Sequence, residues 1–179
     1  MAHTLRGEAD WTVSLDQLGQ TLPNARSTSL VVSWFGSDLR AGECRVRPAV
    51  DSAVKATTPL AWSVAGLDRS EAPVVSVVDG SPAYGGTPSD NAVIAAIRDL
   101  KTRGHKVLLT PFILMDIPPD NDLEDPYTAE PRQPAYPWRG RITVAPAPGR
   151  DGSPDTTAAA AEHVARFVGS ASAADFSIA

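Results

Sequence analysis

The sequence predicts an α/β fold with a parallel sheet, and three features that follow one another along the chain predict it. Residues 88–90 carry a helix-start signal, and apolar residues then recur at helical spacing over 93–100. Gly104 ends that helix, and an apolar strand at 107–113, whose composition predicts burial, follows at once and runs out into Asp116. Helix, glycine, strand and polar loop form half of a βαβ unit, which is the building block of a parallel sheet.

The remaining elements follow from the same patterns. Apolar spacing predicts two more helices, at 11–22 and 154–168, and short β-branched runs predict two more strands, at 29–35 and 74–78. A Pro-rich, acidic segment at 118–137 predicts a long loop. Loops of this length inside a domain are usually functional or disordered.

The strand count bounds the architecture. Only three convincing central strands can be placed in 179 residues, whereas a closed (β/α)8 barrel takes about 250 residues. The sequence therefore predicts a partial or truncated (β/α)8 barrel with parallel strands and long Pro-rich loops. We expect one α/β domain over residues 1–169 and a tail over 170–179 that is flexible or docks on a partner.

Composition and charge exclude several classes of protein. The net charge of −5 argues against a general nucleic-acid-binding protein, which needs a basic surface. Cys44 is the one cysteine and has no histidine near it in sequence, which favours a small buried side chain over a nucleophile. No apolar run reaches the roughly 18 residues that span a bilayer, and the N-terminus lacks the apolar core of a signal peptide. We expect a soluble protein made in the cytoplasm, without nucleic-acid partners and without a membrane span.

Neither a metal nor a cofactor is predicted. The histidines at positions 3, 105 and 163 have no partner at metal-ligand spacing. Residues 85–89, GGTPS, precede a helix, and helix N-terminal N–H groups can cradle a phosphate. This segment lacks the lysine and the spacing of a P-loop, so a plain turn and helix cap is the favoured interpretation.

Five segments of the chain resemble the TIM-barrel-like domain of large tail-tip proteins. They are SLVVSWFGSDLRAGECRVRP, PLAWSVAGL, GGTPSDNAVIAAIRDLK, TPFILMDIPP and YPWRGRITVAPAPGRDGSPD. The domain belongs to the hub, or megatron, host-specificity proteins of gene transfer agents and of related long-tailed phages (siphophages). The resemblance extends from near Leu15 to Ile178.

The resemblance implies a glycoside-hydrolase-like domain at the distal end of a tail, where the particle meets the cell envelope. It implies other tail-tip or baseplate proteins as partners, and the virion as the location after assembly in the host cytoplasm. In similar barrel glycosidases the catalytic glutamates lie on later strands, which have no counterpart in this chain. We therefore expect a structural component that is not catalytic on its own. A glycoside hydrolase acting on cell-envelope glycans and a glycan-binding host-recognition module are the alternatives.

Three aspartates are the candidate catalytic residues if the chain hydrolyses glycosides. That reaction needs two carboxyl groups about 5 to 9 Å apart on one face. Asp38, Asp79 and Asp116 each follow a predicted strand, so all three can lie on the same rim. The alternative for each is a cap or turn residue, which is the commonest use of a strand-end aspartate. Asp79 precedes Gly80 and fits a turn, and Asp116 is the best catalytic candidate of the three.

Aromatic and arginine side chains are the candidate glycan-binding residues, since aromatic faces stack on sugar rings and arginine binds carboxylate or phosphate. They are Trp34, Tyr136, Trp138, Arg139 and Arg141. Tyr84 falls on the same predicted face. The alternatives are core packing for Trp34, loop anchoring for the aromatic residues of the Pro-rich loop, and pairing of the two arginines with the acidic residues of 120–125.

Overall fold

The computed structural model of the protein describes residues 7–136 and 141–170. The helices and strands in this part of the chain are, in order, α1 (Asp10–Thr21), β1 (Ser27–Gly36), β2 (Val46–Arg47), β3 (Ser63–Val64), β4 (Leu67–Asp68), β5 (Val77–Val78), β6 (Ser81–Pro82), α2 (Asp90–Thr102), β7 (Lys106–Met115) and α3 (Ala158–Val168). Contacts within the chain divide the described residues into two units. One contains 7–31 and 92–110, and the other contains 32–91, 111–136 and 141–170.

The longest strands, β1 and β7, are neighbours in a three-stranded sheet with the order β2-β1-β7. Lys106 donates its N–H to the carbonyl of Arg26 (2.8 Å), and Asp116 donates its N–H to the carbonyl of Gly36 (3.0 Å). Both strands therefore run in the same direction, and β1 and β7 are parallel. β2 is antiparallel to β1, with Phe35 opposite Arg47, so the sheet is mixed.

The other strands form two small antiparallel hairpins, β3 with β4 and β5 with β6. Asp79 and Gly80 connect β5 to β6, and both have positive φ angles, 49° and 77°. Two central residues with positive φ define a type I′ turn, whose twist matches the twist of a hairpin, and Asp-Gly is one of its preferred sequences. The predicted strand at 74–78 therefore turns back on itself and joins no parallel sheet.

The predicted partial (β/α)8 barrel is wrong. The fold is a small mixed α/β structure with three short helices in the described part of the chain, one mixed sheet and two antiparallel hairpins. A barrel needs successive parallel strands in one closed sheet. Here β2 is antiparallel to β1, and the run at 74–78 contributes only Val77 and Val78 to a hairpin. The run at 74–78 has the apolar, β-branched composition of a buried strand. The Asp-Gly pair that follows it is a stronger signal, and it predicts a hairpin.

The unit formed by 7–31 and 92–110 contains α1, most of α2 and the first halves of β1 and β7. The helix predicted at 11–22 and the helix predicted to start at 88–90 and to end at Gly104 are confirmed as α1 and α2. Trp11 on α1 donates its indole N–H to Asp99 on α2 (2.7 Å), and Arg103 pairs with Asp16 on α1 (2.7 Å). Leu100 is fully buried. Polar contacts thus join the two helices.

The second unit contains most of the core. One cluster of buried residues joins the loop after β1 to the end of β7: Leu39, Cys44, Met115 and Ile117. A second is centred on Val50, Trp62, Val64 and Ala72, and a third on Phe35, Ala49 and Val75. The prediction that Cys44 is buried is confirmed. Three modest clusters in place of one layer fit a chain rich in loops, because short elements cannot form a continuous apolar face.

The C-terminal helix is shorter than predicted. α3 begins at Ala158 rather than at residue 154, with Thr157 in an extended N-cap conformation, and it ends before Gly169. The segment 154–157 is a turn in which Thr157 donates its N–H to the carbonyl of Pro154 (3.0 Å). Of the predicted tail, residues 171–179 lie outside the described residues.

A close backbone approach at Gly86 provides a test of the fold. Gly86 has φ +82°, and a Cβ there would lie 3.0 Å from the carbonyl oxygen of Ala49. Gly66 has nearly the same φ, +84°, with nothing within 4 Å. We predict that Gly66→Ala lowers the free energy of unfolding by about 1–2 kcal/mol because of its positive φ. Gly86→Ala is expected to lower the free energy of unfolding by roughly a further 1–3 kcal/mol, because the backbone at Ala49 must move to make room for the added Cβ. Urea unfolding followed by tryptophan fluorescence measures both, and equal losses would contradict the close approach.

Candidate functional site

The loop after β1 places Asp38 in a buried hydrogen-bond network. Asp38 is 3% exposed and forms a bidentate ion pair with Arg40, in which Nη2 lies 2.7 Å from Oδ2. The Arg40 backbone N–H and the Gln133 Nε2 both donate to Oδ1, at 2.8 and 2.7 Å. Gln133 in turn accepts the N–H of Leu39 (2.9 Å). Both oxygens of this carboxylate are therefore occupied by protein donors.

This network stabilises the ionised form of Asp38. Burial disfavours the charged carboxylate, but hydrogen bonds from Arg40 and Gln133 outweigh that effect and lower the pKa of Asp38. The same contact raises the pKa of Arg40, so both partners stay charged. A carboxylate held in this way has no acceptor left for a substrate, and its low pKa is unsuited to a general acid. The geometry fits a structural role.

Asp116 lies where β7 ends, as predicted. Its two carboxylate oxygens accept the backbone N–H of Ser76 at 3.2 and 3.1 Å. The cavity beside it, shared with Phe35, Gly36 and Arg47, has a volume of about 20 Å³. A single water needs about 10–15 Å³, so this space suits one water and not a sugar ring.

Tyr84 and Tyr136 pack close to Asp116. The hydroxyl of Tyr84 donates to the carbonyl of Met115 (3.0 Å), and its ring contacts that of Tyr136 edge-on, with centroids 6.3 Å apart. Burial, and then the negative charge of Asp116, raise the pKa of Tyr84. The structure thus brings two predicted site residues, Asp116 and Tyr136, into the neighbourhood of Tyr84.

Asp79, Trp34 and Arg141 lie in other surroundings. Asp79 is exposed in the type I′ turn. Trp34 is half-buried and packs against the cluster of Val50 and Trp62, which matches the core-packing alternative. The Arg141 guanidinium lies over the ring of Tyr127 (5.3 Å to the centroid), so it forms a cation–π contact rather than an ion pair with the acidic loop. Trp138 and Arg139 lie outside the described residues.

A second cavity, near the Asp38 network, was not predicted. Its volume is about 480 Å³, and the loop after β7 and the turn before α3 form most of its wall. Charged side chains of both signs line it: Arg40, Glu124, Asp125, Arg150 and Asp151. The lining residues come from chain segments as far apart as Arg40 and Asp151, and only the Pro-Gly alternation of APAPGRDG (145–152) marks one wall as a rigid turn.

Two classes of site have no counterpart in the ranges 7–136 and 141–170. No group of three or more His, Cys, Asp or Glu side chains there is arranged to hold a metal ion. Within the same ranges, no helix has both the length and the apolar character needed to cross a membrane.

Comparison with known proteins identifies no relative. No protein-family model matches the chain, and no curated protein matches its sequence.

Removal of the Asp38 charge tests the network. We predict that Asp38→Asn lowers the free energy of unfolding at neutral pH by about 1–3 kcal/mol, because Arg40 loses its buried charged partner. The pKa of Asp38 is lowered in the folded state, so its contribution is present above about pH 4 and is lost as the pH falls through the lowered value. The difference from wild type should therefore shrink in acid.

Asp79→Asn is the matched control, since Asp79 is exposed and asparagine tolerates positive φ. Its free energy of unfolding should stay within about 0.5 kcal/mol of wild type. Urea unfolding between acid and neutral pH measures all three proteins. A difference between Asp38→Asn and wild type that does not change with pH would contradict the network.

Proposed function

We propose that the chain is a structural component of a phage or gene-transfer-agent tail tip, in the region of the baseplate hub, and that it has no catalytic activity on its own. The sequence resemblance suggests the particle. The observation that best supports assembly with another chain is the exposed apolar edge of β7.

Among the residues that the structure describes, β7 is an edge strand, because β1 is its one neighbour in the sheet. Although the sequence predicts a buried strand, Leu108 is 63% exposed and Leu109 is 41% exposed. Consecutive residues of a strand point to opposite faces, so this part of β7 is uncovered on both faces. Val31 on the neighbouring strand is also exposed, at 56%. Natural proteins cover or blunt such edges, so this one is suited to a partner chain.

The free edge also defines where a partner strand can pair. The N–H groups of Lys106 and Asp116 face β1. Because N–H groups alternate in direction along a strand, those of Val107 and Leu109 face the free edge. Pro111 lies in the same alternation and has no N–H to donate. A strand from a partner can thus pair with residues 106–110 of β7. At Pro111 the series of N–H donors along the free edge is interrupted.

The absence of catalysis is supported by the aspartates. Asp38 is fully occupied by Arg40 and Gln133, and Asp79 lies in an exposed turn. Asp116 accepts a backbone N–H beside a cavity of about 20 Å³. Hydrolysis of a glycoside needs one carboxyl group on each side of a bound sugar. No specific observation in the described residues favours the glycoside hydrolase alternative.

Immunogold labelling of purified particles, viewed by negative-stain microscopy, tests the proposal. Particles from cells that express the chain should carry label at the distal tail tip. We predict that Leu108→Lys abolishes this label, because a lysine on an edge strand opposes pairing with a second strand. The substituted side chain is exposed, so the variant should fold, which circular dichroism checks.

Leu22→Lys is the control, since Leu22 is 55% exposed but lies beyond the end of α1 and outside the sheet. It should label the tip as wild type does. Intact particles without label on the wild-type chain would overturn the tail-tip function. If the Leu108→Lys variant still labels the tip, the tail-tip function stands, but the proposed role of the β7 edge is overturned.

A further inference from the structure

The cavity near the Asp38 network lies within the second unit and encloses about 480 Å³. Sites for small molecules usually enclose about 300–1,000 Å³, so the cavity has room for a small ligand or for one long side chain. Its wall combines Arg40 with residues of 124–129 and 145–151. It shares no lining residue with the Asp116 cavity.

Hydrogen bonds between the two loop segments hold the wall in place. Ala147 donates its N–H to the carbonyl of Pro126 (2.9 Å), and the Arg150 guanidinium donates to the carbonyls of Tyr127 and Thr128 (2.7 and 3.2 Å). A site whose wall is fixed in advance loses less conformational entropy when a ligand binds.

Asp125 is the buried carboxylate of this wall. It is 8% exposed, and its Oδ1 accepts the backbone N–H of Tyr127 (2.7 Å), but no described residue donates to its Oδ2. The fully enclosed side-chain atoms that lack a partner in the described residues do not include this oxygen, so a ligand can reach it. A buried carboxylate oxygen without a donor is costly, and a ligand that donates to it removes that cost.

The charges of the wall do not balance. Arg40 uses Nε and Nη2 for the two oxygens of Asp38, so those two charges cancel. Glu124 and Asp151 line the cavity with Asp125, and no described residue donates to their carboxylates. The guanidinium of Arg150 binds carbonyl oxygens and is not paired with a carboxylate. Three carboxylates therefore stand against one guanidinium, which leaves a surplus of two negative charges.

This surplus selects an organic cation. An anion would be repelled, and a neutral ligand would leave the surplus charge uncompensated. No group of three or more His, Cys, Asp or Glu side chains in the ranges 7–136 and 141–170 is arranged to hold a metal ion. An ammonium group carries one positive charge and three N–H donors and has no acceptor, so it supplies only what the wall lacks.

The rest of the wall suits the stem of such a cation. Pro126, Ala129, Ala145 and Pro146 line the cavity together with the carboxylates. An alkylammonium group places its methylene stem along apolar surface and its charged end at polar groups. The cavity thus offers a surface for each end of an alkylammonium ion.

We propose that this cavity binds an alkylammonium cation, whose ammonium group donates to Asp125 and whose methylene stem lies along the proline and alanine wall. The lysine side chain of a partner protein and a free polyamine both present this group. The proposal rests on the cavity alone and does not depend on the tail-tip function.

Three ligands with one stem and different charges test the selection: pentylamine, pentanol and pentanoate. Ligand-observed NMR on the full chain should show that pentylamine binds with a dissociation constant on the order of 1 mM at low salt. Its affinity should fall as salt is added, because salt screens the attraction between the charges. Pentanol and pentanoate should not bind in the same concentration range.

Matched variants test the place of binding. Asp125→Asn keeps the oxygen that accepts the Tyr127 N–H but removes the charge, and it should weaken pentylamine binding on the order of tenfold. Asp151→Asn changes an exposed side chain of the opposite wall and should weaken binding on the order of threefold, since solvent screens an exposed charge. Circular dichroism checks that both variants fold.

Asp122→Asn is the control for general attraction to an acidic protein. It removes the same charge from the same loop, but Asp122 is exposed and does not line the cavity. Its affinity for pentylamine should stay within about twofold of wild type. The proposal is overturned if pentylamine does not bind, if pentanol or pentanoate binds as tightly as pentylamine, or if folded Asp125→Asn and Asp151→Asn bind as tightly as this control.

Two further ligands distinguish the sources of the cation. Nα-acetyl-lysine-N-methylamide presents a lysine side chain on a capped backbone, and cadaverine is a free diamine. Binding of the capped lysine as tight as that of pentylamine would assign the site to a partner's lysine. Binding of cadaverine and pentylamine without the capped lysine would assign it to a free polyamine. Both results support the ammonium site.

Discussion

The arrangement of the second unit depends on one buried carboxylate. Asp38 remains ionised at 3% exposure because the Arg40 guanidinium, the Arg40 backbone and Gln133 all donate to it. Without these donors, burial would favour the neutral acid. Gln133 also binds the backbone of Leu39 and of Glu124, so the same network fixes the loop after β1 against the long Pro-rich loop.

This constraint has two consequences for function. The oxygens of the carboxylate that fixes the loops already accept hydrogen bonds from Arg40 and Gln133, so they are not free to act on a substrate. Arg40, oriented by Asp38, forms part of the wall of the larger cavity, and the backbone of Glu124 is held by Gln133. The network thus fixes part of the wall of this cavity. The exposed edge of β7 is a separate surface, suited to another chain and not to a small ligand.

Sequence reasoning located the elements that local patterns determine. α2 and β7 were predicted because a helix start, an apolar period and Gly104 all lie within one short segment. It did not predict contacts between residues that are far apart in the sequence. Gln133 is 95 residues from Asp38, and no local signal pairs the two. The exposure of Leu108 was missed because an apolar run looks the same on an uncovered edge as in a buried sheet. At 77–82 the Asp79-Gly80 pair decides the hairpin, and the apolar run before it does not.

The most direct test of this account is hydrogen–deuterium exchange of the wild-type chain and Asp38→Asn, resolved by mass spectrometry. If the Asp38 carboxylate fixes the Pro-rich loop, backbone amides within 121–133 should exchange faster in the variant, because Gln133 and Asn121 lose their anchored positions. Amides of α2 should exchange as in wild type. Unchanged protection of 121–133 in a folded Asp38→Asn protein would contradict the central role of this carboxylate.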